Sequence, residues 1–228
     1  MTKLLQRIEV WTLAVLCILF GSLWAVLKLG GEIREGETAG IDRNILLWFR
    51  TPGDLALPIG PAWLHESARD ITALGGFTVL TLLTIAATLA LLAAGRRRQA
   101  LVFSVTVIIA QLASGGLKTL NDRPRPTLVP HLDAAMSSSF PSGHAMMSPV
   151  VYFTLVAILA ARSYGRSFRA LMIGSAVLLV IAIGISRIYL GVHWPTDVLA
   201  GWTLGSAIAL AAWRVLAMFR PPLPPARG

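Results

Sequence analysis

Nine residues have the types and spacing to do chemistry together: Lys118, Arg125, Ser142, Gly143, His144, Ser186, Arg187, His193 and Asp197. They fall in three polar blocks, KTLNDRPRP at 118–126, FPSGH at 140–144 and SRIYLGVHWPTD at 186–197, in a strongly apolar chain. Ionisable side chains at the ends of membrane helices are costly to place, which makes them functional candidates by default. Three cations, two histidines, a carboxylate and a glycine turn form a kit for handling a phosphate.

Each block has a reading of its own. In 118–126, Pro124 and Pro126 force Arg123 and Arg125 into extended backbone, so the helix carrying Lys118 ends before them. Lysine at the helix end and arginine just beyond can share one anion, the guanidinium matching phosphate oxygens with its planar fork. Taken alone, such cations suit lipid headgroups equally well. The FPSGH block opens a helix: an early proline loses no hydrogen bond, and a Ser–Gly pair leaves backbone N–H groups facing an anion. His144 follows on that turn, placed to give or take a proton, although a simple cap explains serine and glycine too. In 186–197, Pro195 starts a helix, with His193 just before it and Asp197 in its first turn. A carboxylate there can bond the far imidazole nitrogen, fixing the tautomer and raising nucleophilicity. A lone His–Asp pair is also a common structural feature. His144 and His193 could supply two metal ligands, but the neighbouring arginines and Lys118 repel a cation. Neither metal nor cofactor is implied.

The elements that must position these residues are membrane helices. Hydrophobic residues make up 55% of the chain and charged ones only 14%, with a mean hydropathy of +0.70. A helix needs about 20 apolar residues to cross a bilayer, and six segments qualify: 10–29, 76–94, 100–120, 145–161, 170–185 and 198–218. The first follows a short basic start without a small-residue cleavage site, and reads as a retained helix and not a signal peptide. The net charge of +9 is a topology signal. Lys3, Arg7, Arg96, Arg97, Arg98, Arg162, Arg166, Arg169, Arg214, Arg220 and Arg227 all fall on one side of a six-helix arrangement, with Glu9 the one acid there. The opposite loop, 30–74, carries seven acids against four arginines. This asymmetry puts both termini in the cytoplasm and all three blocks on the outer face. Attraction to anionic lipid explains the basic balance, and a nucleic-acid partner is not expected. Cys17, the single cysteine, lies inside the first span; it excludes an internal disulfide and a thiolate metal cluster.

Within the outer loop, 41–49 and 63–74 mix apolar and charged residues at helical spacing. They read as short interfacial helices anchored by Trp48, Phe49 and Trp63, or as ordered loops over the helix ends. One integral domain is expected over residues 1–220. The proline-rich tail, 221–228, is expected to be disordered.

In order, the blocks read K-x6-RP, PSGH and SR-x5-H-x3-D. This set resembles the type 2 phosphatidic acid phosphatase superfamily, membrane lipid phosphatases related to vanadium haloperoxidases. The resemblance spans 118–197 by motif and the six helices by architecture. It implies an all-α, polytopic membrane protein with a haloperoxidase-like helical core. It further implies a metal-independent phosphatase in which His193 attacks phosphorus to give a phosphohistidine, oriented by Asp197. His144 would protonate the leaving oxygen and then activate water. Lys118, Arg125, Ser142, Gly143 and Arg187 would bind the phosphoryl oxygens. The implied partner is a lipid phosphate in the bilayer, with the site on the extracytoplasmic face of the cytoplasmic membrane. Of the substrates the family suggests, compact outer loops and a bacterial-looking Ala/Leu/Arg-rich composition favour undecaprenyl pyrophosphate. Phosphatidylglycerophosphate, phosphatidic acid and lipid A, the last by hydrolysis or phosphate transfer, are the alternatives. A transporter or lipid scaffold could use the same pocket without turnover, but transporters pair broken helices at the midplane, whereas these blocks share one face.

Overall fold

A computed structural model describes residues 2–133, 137–160 and 165–219, with side chains from residue 9 onward. Eight helices appear among them: α1 (Thr2–Glu35), α2 (Ala39–Trp48), α3 (Ala62–Ala73), α4 (Phe77–Ala93), α5 (Arg97–Asn121), α6 (Gly143–Leu159), α7 (Arg166–Tyr189) and α8 (Pro195–Met218). Five helices have the length and hydropathy to cross a membrane: α1, α5, α6, α7 and α8. The α3–α4 pair, bent by 44° at its break, makes a sixth when counted as one span. The chain is a multi-pass membrane protein. The expected tail at 221–228, together with Arg162, Arg220 and Arg227, lies outside the described residues.

Helix α6 is the centre of the bundle. It is apolar on all faces, as a helix surrounded by protein should be; Met146, Val150 and Val151 are fully enclosed in a core shared with Leu80 of α4, Phe103 of α5 and Leu204 of α8. Its approach to α8 is set by a small-xxx-small pair, which lets membrane helices pack backbone to backbone. A Cβ on Gly201 would lie 2.8 Å from the Ser142 carbonyl and 2.9 Å from the Met146 amide, and one on Gly205 would collide with the Met146 carbonyl. The first turn of α6 is thereby locked to the second and third turns of α8. Hydrophobic side chains on α1, α5 and α7, such as Trp24, Leu112 and Leu178, face outward, where lipid would meet them.

The two ends of the bundle differ. At one, Arg98 in the first turn of α5 stacks 5.5 Å from the Phe219 ring after α8. Arg214 is not a loop cation: it is buried within α8 and donates to Thr12 of α1 at 2.8 Å. At the opposite end lie Lys118, Gly143, Arg187 and His193, roofed by α2, α3 and a hairpin that the sequence reading did not contain. The hairpin pairs β1 (Arg50–Thr51) with β2 (Asp54–Pro58) around Gly53, whose φ of +91° suits glycine. The expected interfacial helices are α2 and α3. Trp48 and Trp63 are exposed as anchors should be. Phe49 instead packs inward, edge-on to Tyr189 at 6.0 Å.

Candidate active site

The three blocks converge. Helix α5 ends at Asn121, and Asp122 takes the left-handed conformation (φ 35°), which aspartate tolerates better than most residues. The chain then continues outside any helix or strand through Arg123–Pro126. Lys118, in the last turn of α5, donates to Ser137 Oγ at 3.1 Å and to the Ser138 carbonyl at 2.8 Å. Its Cε lies 4.0 Å from where a Gly143 Cβ would stand, so the ammonium stem passes beside the start of α6. Ser142 is the N-cap of that helix; its buried Oγ accepts from Ala145 N at 3.4 Å, and its own N–H donates to the Asp197 carbonyl at 3.0 Å. The side chain thus has a capping role beside any phosphate contact. Gly143, first in the helix, has an N–H without an intrahelical acceptor. His144, one residue on, lies within the electrostatic field of Arg187, His193, Asp133 and Lys118, against the α3–α4 break at Gly75 and Gly76.

The third block is held from behind. Gly191, with φ of +74°, turns α7 into the α8 approach; a Cβ there would meet Arg50 Nη2 at 2.7 Å and the Pro130 carbonyl at 2.9 Å. Arg50 donates to the carbonyls of Phe49 and Tyr189, both at 2.9 Å, stitching the hairpin to that turn. Ser186 is spent inside α7, donating to the Ile183 carbonyl at 2.7 Å. Arg187 is buried; Nη1 donates to Asp133 at 2.5 Å and Thr72 at 3.0 Å, while its enclosed Nε has no hydrogen-bond partner. An enclosed guanidinium N–H without an acceptor is unfavourable, and a phosphoryl oxygen would satisfy it.

His193 is 2% exposed. Arg125 Nη1 lies 3.2 Å from His193 Nε2. A guanidinium only donates, so Nε2 must be the acceptor and the proton must sit on Nδ1. Nδ1 faces Asp197 Oδ2 and Ser139 Oγ, each at 3.4 Å. Burial holds the imidazole pKa down, to about 4, with the Asp197 bond opposing it. The ring is therefore neutral at pH 7, with its Nε2 lone pair directed at Arg125. Arg125 also donates to the Val192 carbonyl at 2.6 Å and, through Nε, to the Ser137 carbonyl at 2.8 Å. Burial first, and next the Arg187 charge, press its guanidinium pKa downward; an arriving anion would relieve both.

Asp197, wholly enclosed, accepts from the Trp194 N–H at 2.8 Å, closing the α8 N-terminus from its third position. It also accepts from Ser139, and Arg123 Nη1 reaches its other oxygen at 2.5 Å. Sequence reasoning gave Arg123 no site role and missed Ser139, Asp133 and Asp42. Of these, only Arg123 carried a signal, as the first arginine of RPRP.

From Lys118, Gly143 and His144 a cavity of about 420 Å³ extends between α4, α5 and α6. Leu80, Val107, Ile108 and Met147 line it, with Thr81, Thr84, Gln111 and Ser114 among the polar exceptions. The site therefore joins a cationic, histidine-bearing end to a largely apolar slot. Among the described residues no group of three or more His, Cys, Asp or Glu side chains could hold a metal ion.

Comparison with known proteins shows the family. Residues 99–221 match the PAP2 superfamily model. Phosphatidylglycerophosphatase B of Bacillus subtilis is 32% identical over 154 residues, 66% of this chain and 74% of that protein. An undecaprenyl-diphosphatase of Sulfolobus acidocaldarius is 35% identical over 77 residues, about a third of each chain. The crystal structure of a transmembrane PAP2-type phosphatidylglycerolphosphate phosphatase from Bacillus subtilis superposes with a TM-score of 0.79 at 26% identity, covering 90% of this chain and 98% of that one. This chain belongs to the PAP2 superfamily and is a membrane lipid phosphatase.

Proposed function

We infer that the protein removes a terminal phosphate from a lipid headgroup by way of a phosphohistidine on His193. The observation that carries this reading is the Arg125–His193 contact: the cation that would bind a phosphoryl oxygen rests on the nitrogen that would attack phosphorus. An arriving phosphate takes Arg125 for itself, and Nε2 is uncovered at the atom it must reach. Lys118, Arg187 and the Gly143 N–H supply the remaining positive field, and phosphoryl transfer depends chiefly on such positioning and charge stabilisation. Asp197 keeps the Nδ1 proton in place and balances the cationic ring as the bond to phosphorus forms. His144 protonates the leaving lipid oxygen, then deprotonates the water that frees phosphate. The reaction draws on fixed cations, so no metal is required.

A glycerophospholipid of the phosphatidylglycerophosphate type is the substrate best supported. The Bacillus subtilis relative, matched over 66% of this chain, and the solved structure, matched over 90% of it, carry that name. Gln111 lies two helical turns from Lys118 on the cavity wall, roughly 10 Å at the α-helical rise. Oxygen atoms of a glycerol backbone could meet its amide there, whereas a prenyl chain offers only hydrocarbon. Undecaprenyl pyrophosphate, favoured on composition, takes second place; its named relative matches only a third of each chain. The extracytoplasmic orientation rests on the one-sided basic residues.

The test is phosphate release by detergent-solubilised protein from phosphatidylglycerophosphate, phosphatidate and undecaprenyl pyrophosphate side by side, with and without EDTA. Turnover insensitive to EDTA, strongest on the glycerolipids and absent in His193→Ala, supports the reading. Binding without turnover would return the scaffold alternative. A loss in EDTA restored by a divalent ion would refute the metal-free chemistry.

A further inference from the structure

Helix α2 lies outside the three motif blocks, yet one of its residues is bonded into the catalytic group. Asp42 is fully enclosed. Its carboxylate meets Arg123 Nη2 at 2.6 Å, and the other arm of the same guanidinium meets Asp197 at 2.5 Å. Thr196, the residue before Asp197, donates to Asp42 through both its N–H, at 2.9 Å, and its hydroxyl, at 2.7 Å. That hydroxyl in turn accepts from Arg123 at 2.8 Å. Trp194 closes one side, its ring 5.4 Å from the guanidinium carbon.

We propose that Asp42, acting through Arg123, is a positioning residue for Asp197 and so tunes the carboxylate that supports His193. The proposal rests on the His193–Asp197 roles given above. Its physical basis is charge. One guanidinium shared by two buried carboxylates leaves the triad with one net negative charge. That charge is what the imidazole ring needs as it becomes cationic on attack. With Asp42 neutral, Arg123 would pair with Asp197 alone and cancel it. Such a pair would still be well formed, and Asp197 would still orient Nδ1–H, but it would stabilise the cationic ring less. Asp42 also accepts from the Thr196 N–H and hydroxyl, so it is tied to the α8 N-terminus beside Asp197 as well as to Arg123. Nearby charges commonly shift a buried group's proton affinity by 1–3 pKa units, about tenfold in equilibrium per unit. Because the ring is only partly cationic in the transition state, part of that change is expressed in the rate, and a loss in kcat on the order of 10–100-fold is expected.

The experiment uses the full chain in detergent. Asp42→Asn should lower kcat about 10–100-fold, while KM and inhibition by vanadate stay within roughly threefold, because Lys118, Arg125 and Arg187 are untouched. In an Asp197→Asn background, adding Asp42→Asn should cost less than about twofold further, since residues acting as one unit are not additive. Thr196→Val, which removes the hydroxyl joining Asp42 to Arg123, provides a milder second probe with the same expected split should Asp42→Asn fold poorly. The proposal is overturned if Asp42→Asn keeps wild-type kcat, if its loss adds in full to that of Asp197→Asn, or if lost activity merely follows the unfolded fraction. A failure of the underlying reading would show separately, as turnover retained in Asp197→Asn or His193→Ala alone.

Discussion

Replacing Gly201 by alanine tests whether the α6–α8 contact sets the geometry of catalysis. The added methyl would stand 2.8 Å from the Ser142 carbonyl, 2.9 Å from the Met146 N–H nitrogen and 3.0 Å from Ala145 Cβ. Ordinary contact begins near 3.4 Å, so α6 must retreat by about 0.6 Å. Two of the three obstacles are backbone atoms, which cannot swing aside as a long side chain can. Overpacking of this kind costs about 1–3 kcal/mol. The displaced turn is the one bearing Gly143 and His144, while His193 and Asp197 stay with α8. A misplacement of about 1 Å can cost 10²-fold in rate, so a 0.6 Å retreat should lower kcat by roughly an order of magnitude. Thermal unfolding in detergent and steady-state phosphate release measure the two effects. Gly174→Ala on α7, where an added Cβ meets nothing within 4 Å, is the control and should change neither. A Gly201→Ala protein with wild-type Tm and kcat would refute the claim that this contact holds the two halves of the site in register.

Asp197→Asn should retain lipid binding and lose about 10³–10⁴-fold in kcat, as expected when a triad-type carboxylate is neutralised; a large rise in KM with kcat preserved would contradict its role. His144→Ala should slow phosphoenzyme formation, read in a single turnover, by about 10²–10⁴-fold from lipid, but much less from an activated aryl phosphate, whose leaving group needs no proton; an equal defect in that step on both would exclude it as the general acid. The depressed His193 pKa makes a stability prediction. The folded value, about 4, lies below the ordinary 6.5, so the contribution is present above pH 6.5 and is lost as pH falls toward 4. The Tm of wild type should therefore drop more steeply across that interval than that of His193→Gln, and parallel curves would count against a buried neutral imidazole.

Much of the site was legible because its chemistry is local in sequence. Pro195 does start α8, with His193 before it and Asp197 in its first turn, and Ser142 and Gly143 do open α6, although Pro141 lies before the cap and not inside the helix. The spans were readable from hydropathy, which needs no knowledge of partners. What escaped was relational. Asp42 looked like one acid among seven in the outer loop, and only the fold shows it sharing Arg123 with Asp197. Ser139 sat in a serine run with nothing to separate it from its neighbours. Phe49 was taken for a membrane anchor because aromatic type alone cannot say which side of α2 faces Tyr189. The hairpin had a signal, Pro52–Gly53 between Thr51 and Asp54, which is a turn dipeptide; the helical pattern of the flanking segments overshadowed it. Arg214, counted among the one-sided cations, is enclosed beside Thr12, because charge type alone does not say whether a residue near a span's end faces water or a neighbouring helix.

The central claim, covalent catalysis at His193, is tested most directly by trapping the intermediate. Full-length His144→Ala protein, mixed with an activated aryl phosphate and stopped in alkaline denaturant, should accumulate phosphoenzyme because the water-activating base is gone. Mass spectrometry of the digested protein should place one phosphate on His193, and the same treatment of the His144→Ala, His193→Ala double variant should give none. A phosphate on any other residue, or label persisting without His193, would contradict the account.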